Sequence, residues 1–194
     1  FIGQYLHSDS AYPLGLAAEL SGEAKLRASG DDLQDSGKLI AYEHENRDWS
    51  WYSRYFALGD EFRADLGYMP QTDFIKVVHG GSYQWFYENP WLNRLEISGD
   101  WDITHNELGE LLEKEAEIAL TFYGAYQSET EFNLTQRDRV GSRFDQNILR
   151  IDANTELFQE NVFELETVVQ PASGVYLELY SEIGNKLDFR NNRM

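Results

Sequence analysis

A two-residue rhythm runs along most of this chain and constrains its fold more than any other feature. Ala18, Leu20, Gly22, Ala24, Leu26 and Ala28 alternate with Glu19, Ser21, Glu23, Lys25, Arg27 and Ser29. Successive side chains of a strand point to opposite faces, so the pattern describes a ribbon lying between an apolar medium and water. The rhythm returns in Leu95, Ile97, Gly99, Trp101 and Ile103, set against Arg94, Glu96, Ser98, Asp100 and Asp102. It returns again in Ala116, Ile118, Leu120, Phe122, Gly124 and Tyr126. Strands of about ten residues, rich in interfacial aromatics, fit an all-β, antiparallel up-and-down transmembrane β-barrel, or a portion of a larger one.

Strands are expected near 1–8, 17–29, 37–45, 48–58, 74–87, 92–103, 111–134, 144–158, 161–170 and 174–184. That makes nine or ten strands at even spacing, in a single domain over 1–194 without an internal boundary. Gly30-Asp31-Asp32, Glu45-Asn46-Arg47-Asp48 and Glu88-Asn89-Pro90 carry turn chemistry between them. The one rival helix lies at 106–114, where Glu107, Leu108, Glu110, Leu111, Leu112 and Glu113 are good helix formers.

Charge narrows the partners. The chain carries 34 acidic against 16 basic residues, a net charge of -18. Binding to a nucleic-acid backbone needs clustered Lys and Arg, and is excluded on that ground. Such a charge suits cations or a high-salt habitat that screens self-repulsion, and its plainest reading is a solvated acidic surface. No cysteine is present, so thiolate chemistry and disulfides are absent. No run of about 18 apolar residues exists to make a transmembrane helix. A mean hydropathy of -0.55 does not argue against a barrel, whose strands give only alternate residues to lipid.

Five Trp, 12 Tyr and 11 Phe make the chain dense in aromatics. Trp49, Trp51 and Tyr55 share one strand face, as do Tyr83, Trp85 and Tyr87. Trp and Tyr join an apolar body to a polar tip, so Trp49, Trp51, Tyr83, Trp85 and Trp101 are read as an aromatic girdle or a saccharide platform. Catalytic chemistry finds no foothold. Acid pairs are everywhere by number alone, and His7, His44, His79 and His105 stand apart without a zinc spacing. Asp31-Asp32 with Asp35, and Asp100 with Asp102, offer hard oxygen ligands but lack a full calcium-loop spacing. No catalytic residue, metal or cofactor is expected.

One segment is more specific. Asn46-Arg47-Asp48-Trp49-Ser50-Trp51 leads to Gly59-Asp60-Glu61-Phe62-Arg63-Ala64-Asp65-Leu66-Gly67-Tyr68-Met69-Pro70-Gln71-Thr72-Asp73-Phe74. It resembles a family of largely uncharacterised bacterial outer-membrane β-barrel domains that usually follow a module similar to carbohydrate-binding family nine. Phe62, Gly67, Pro70, Thr72 and Asp73 match the family's loop, and Tyr68 and Phe74 are aromatic substitutes. Gln71 stands where the family tends to carry Arg. As a structural lock, Gly67 permits a turn, Pro70 fixes φ, and Thr72-Asp73 can cap it. The stretch from Ser181 to Asn192 resembles the family's Gly-x-x-Ile-Asp-aromatic-x-Asn sequence. The family's barrel is longer than this chain, so the resemblance is to an interior or truncated portion, and Phe1 leads directly into strand-like sequence.

The resemblance implies the outer membrane of a Gram-negative bacterium, with outer-membrane lipid as partner and no cofactor. The expected function is a porin-like pore, a receptor or a membrane anchor linked to carbohydrate uptake or binding. Glu19, Glu23, Glu113, Glu115 and Glu117 on the wetted face would make a lumen favour cations. The alternative is a soluble β-sandwich that binds carbohydrate through Trp49, Trp51, Trp85 and Trp101, with its apolar faces closed on each other. A hydrolase ranks third.

Overall fold

In the computed structural model, which describes residues 1–11, 32–60, 62, 72–141, 156–189, 191 and 193–194, the alternating runs form one antiparallel sheet. Its nine strands are β1 (Ile2–Ala11), β2 (Asp32–Glu45), β3 (Trp49–Leu58), β4 (Phe74–Phe86), β5 (Leu92–His105), β6 (Leu111–Gly124), β7 (Glu129–Val140), β8 (Leu157–Ala172) and β9 (Val175–Asn185). They lie side by side in chain order, an up-and-down meander with β1 and β9 at its two open edges. No helix among the described residues is long and apolar enough to cross a membrane.

One expectation is corrected, and one rival reading falls away. The run at 111–134 is two strands, because Tyr126 and Gln127 take left-handed backbone (φ 58° and 52°) and reverse the chain. Gly124 N–H donates to the Ser128 carbonyl at 2.9 Å and closes that turn. The helix formers of 106–114 make no helix. Asn106 Oδ1 accepts the Glu110 N–H at 2.8 Å, Gly109 turns at φ 82°, and β6 starts at Leu111. Pairing with β5 and β7 along β6 overrides local propensity there. The run at 17–29, the Gly30-Asp31 turn and most of 144–158 lie outside the described residues.

Two of the hairpins fall where turn chemistry placed them. Asn46 Oδ1 accepts the N–H groups of Asp48 and Trp49 at 2.9 Å each, and Asn89 Oδ1 accepts that of Trp91 at 2.9 Å. Side-chain oxygens thus replace backbone acceptors in both turns. The two ends of the sheet differ. Short turns at 46–48, 87–91, 125–128 and 173–174 occupy one end, while 12–31, 59–73 and 141–156 make long connections at the other, beside the short 106–110.

The register sorts side chains into two faces. One row reads Trp51, Gly81, Gly99, Ile118, Leu134, Phe163, Ile183, and the next toward the turns reads Trp49, Tyr83, Ile97, Leu120, Phe132, Leu165. The opposite face carries Tyr52, Gly80, Asp100, Glu117, Thr135, Val162 and the row Arg54, Val78, Asp102, Glu115, Arg137, Glu160. Burial is inverted relative to a water-soluble sheet. Ile118 and Leu134 on the apolar face are 50% and 55% exposed, while Thr121 and Glu160 on the polar face are each 3% exposed. No second sheet covers the apolar face among the described residues, so the closed core of a β-sandwich is not formed there. Among the described residues the polar face is therefore the more shielded of the two.

Gly80 permits one close packing contact on that face. A Cβ at this position would lie 2.6 Å from the Tyr52 ring and 2.7 Å from Asp100 Cβ. The missing side chain lets Tyr52 on β3 cross β4 and donate to Asp100 Oδ2 on β5 at 3.0 Å. Gly80→Ala is expected to destabilise the fold by about 1–2 kcal/mol through overpacking. Urea titration checks the loss, and Tyr52→Ala should recover part of it by making room; no recovery would place the strain elsewhere.

Candidate functional site

The candidate site is the polar face, because the alternation brings most ionic partners of the described strands onto it. Lys76 on β4 reaches Asp102 Oδ2 at 3.0 Å on β5 and Glu113 Oε1 at 3.7 Å on β6. Arg139 on β7 joins Glu113 at 3.7 Å to Glu160 Oε2 at 3.5 Å on β8. Arg137 pairs with Glu115 and with Glu160 Oε2 at 3.3 Å. Three cations and four carboxylates therefore form one ladder from β4 to β8. On the β2–β3 side Arg54 pairs with Glu43 and lies over the Tyr52 ring.

The ladder has a strap. Glu160 Oε1 accepts the Leu187 N–H at 2.6 Å, and the Arg139 guanidinium lies 4.4 Å from the Phe189 ring centroid. Asp188 closes the following turn by accepting from Asn191 and bridging to Arg193. The stretch likened to a family motif thus folds back across the long-connection end of the polar face. Toward the short-turn end the face becomes mainly acidic and hydroxylic. Asn133 Nδ2 donates to Glu117 at 2.9 Å, Thr121 to Glu131 at 3.1 Å, and Tyr180 to Glu164 at 3.1 Å.

The expected aromatic set divides. Trp49 and Tyr83 are direct cross-strand partners, Tyr83 and Trp85 rings lie 4.7 Å apart, and Trp51 stands at the next position of the same face. Trp101 is removed from them, toward the long connections, where it stacks on His79 at 6.2 Å. All five are on the apolar face. Exposed Tyr87, Trp91 and Tyr126 add to the aromatic end at the short turns; alternation places Tyr87 and Tyr126 on strands, and it does not single out Trp91, which stands in a turn.

Of the motif residues, Gly67, Tyr68 and Pro70 lie outside the described residues. Phe62 is buried, and the Thr72 hydroxyl donates to the Asp60 carbonyl at 3.3 Å. Asp73, also buried, holds φ 59°, a conformation Asp tolerates, and its Oδ1 accepts the Glu107 N–H at 2.9 Å. It ties the 59–73 connection to the 106–110 turn.

The two calcium candidates come apart. Asp100 and Asp102 share the polar face but are engaged by Tyr52 and Lys76 respectively. Asp35 instead meets Asp60 and Glu107, with one carboxylate oxygen of each within 4.8 Å of the others. Such oxygens suit a hard cation, and sequence distance hid the grouping. Asp31 lies outside the described residues. No histidine joins a group of metal-ligating side chains among the described residues.

Comparison of the chain with family models, curated proteins and solved structures finds no match.

Proposed function

We propose that this chain forms part of the wall of a transmembrane β-barrel in a Gram-negative outer membrane, serving as a pore, receptor or membrane anchor. The observation that carries the reading is the inverted burial: large apolar side chains face outward while carboxylates and guanidinium groups are shielded and paired. In water that arrangement wastes the hydrophobic effect; against lipid it is the stable one.

Three further features support it. Short turns at one end and mostly long connections at the other match the two rims of outer-membrane barrels. Trp49, Tyr83, Trp85 and Trp91 gather at the short-turn rim, where amphipathic rings favour a membrane–water boundary. The apolar band also slants. The row containing apolar Val77 and Ile103 continues as Lys114, Asp138 and Gln159 on β6–β8. Barrel strands tilt by about 40° from the axis, so a level hydrocarbon layer must cross hydrogen-bonded rows obliquely. Outer-membrane lipid is the partner of this face.

Fluorescent probes test the reading. In lipid vesicles, probes at Ile118 and Leu134 should be quenched by bilayer-resident quenchers, and a probe at Glu164 by water-soluble ones. Position 121, although on the polar face, is too enclosed to serve as the water reporter. Protection of 118 and 134 from lipid quenchers would mean that protein covers the apolar face.

Electrostatics supply a second test. Glu117, Glu131, Glu164, Glu166 and Glu178 share the polar face, and none makes an ion pair to Arg among the described residues. A lumen lined this way concentrates cations. Planar-bilayer reversal potentials in a salt gradient should report cation preference, weakening as salt rises and screening grows. Anion preference would overturn the assignment of this face to a conducting lumen.

A further inference from the structure

Among the described residues, the exposed edge of β9 is the surface with the clearest missing partner. Its strand, Val175–Asn185, is exposed along its whole length and contains neither Pro nor Lys, the usual guards of a free edge. Nine strands in an antiparallel meander leave β1 and β9 running in the same direction. Antiparallel closure of β9 on β1 is therefore impossible without an odd number of intervening strands. In lipid, an edge with unpaired N–H and C=O groups is not tolerated.

Charge specifies the missing strand. Within the sheet, the polar-face acids Glu43, Asp102, Glu113, Glu115 and Glu160 meet Lys or Arg from a neighbouring strand. At the edge, Glu182 is paired by Lys186, whereas Glu178 and Glu166 make no ion pair among the described residues. A residue directly opposite Glu178 on an antiparallel neighbour shares its face. We propose, on the basis of the membrane-wall reading, that β9 is paired by an antiparallel strand that is apolar on its lipid side and basic opposite Glu178. A second copy of this chain fits poorly. β9 against β9 would bring acid against acid, β1 contains no Lys or Arg, and two-fold pairing would put the long connections of the two copies at opposite membrane surfaces.

The test uses the full chain in neutral phosphatidylcholine vesicles and an 11-residue peptide of alternating Leu and Lys, matched to the length of β9. A second peptide replaces Lys by Glu. Amide exchange along β9 should slow at least about tenfold with the Lys peptide and remain unchanged with the Glu peptide. Glu178→Lys should invert that preference, and Glu178→Gln should weaken it without reversal. Equal protection by both peptides, protection by neither, or protection from dimerisation without peptide would overturn the proposal. Lipid quenching of a probe at Leu134 in the same samples separates the two readings. Insertion without selective β9 protection refutes the edge assignment alone; failure to insert refutes the membrane wall and the edge assignment with it.

Discussion

Ile118→Arg is expected to destabilise the protein in a bilayer by about 2–4 kcal/mol, the cost of holding a guanidinium at the midplane-facing surface of a barrel. Ile118 stands in the row running from Trp51 to Ile183, inside the apolar band. It is half exposed and so makes limited contact with protein. In water, replacing such a surface residue would change stability by about 0.5 kcal/mol or less. The two environments therefore predict effects several-fold apart at one position. Thr135→Arg is the matched control, since Thr135 pairs with Glu117 on the polar face and its replacement gains an acidic neighbour. Urea unfolding from lipid vesicles should find a large loss for Ile118→Arg and almost none for Thr135→Arg. Equal, small losses would show that the apolar face does not meet hydrocarbon.

Much of this architecture is written locally. Alternation in 94–103 and 116–124 fixes which side chains share a face, and Asn46 and Asn89 announce hairpins through their own side-chain oxygens. The turn at 125–128 is different. Tyr126 and Gln127 carry no left-handed preference, so the break emerges only when β6 and β7 pair and Gly124 bonds Ser128. The same distinction holds for the polar face. Periodicity places Glu113, Glu115 and Glu117 together, but which acid meets which cation depends on register between strands far apart in sequence. Glu160 looks in the sequence like any solvated acid of a strongly acidic chain. The inter-strand register alone brings it beside Arg137 and Arg139. The Asp35–Asp60–Glu107 grouping was hidden for the same reason, since the start of β2 and two separate connections must converge to make it.

Glu160→Ala should be the most damaging single truncation on the polar face, with a loss of about 2–3 kcal/mol. Its side chain is 4% exposed and serves three donors: Arg137, Arg139 and the Leu187 N–H. Removing it strands two partly shielded guanidinium groups and a backbone donor. The loss stays below that of breaking a wholly buried pair because Arg137 keeps Glu115 and Arg139 keeps Glu113. Glu164→Ala is the contrast: its Lys186 contact is 3.9 Å long, Lys186 is half exposed, and an exposed pair contributes at most about 1 kcal/mol. Glu160→Gln divides the effect. The amide oxygen can still accept from Leu187 N–H, so the strap should hold while the ion-pair ladder weakens. Limited proteolysis reads the strap separately from global unfolding. Cleavage within 186–194 should accelerate in Glu160→Ala and remain near the parent rate in Glu160→Gln. Equal acceleration in both would assign the strap to the charge of the ladder and to Arg139 against Phe189, leaving the Leu187 hydrogen bond incidental.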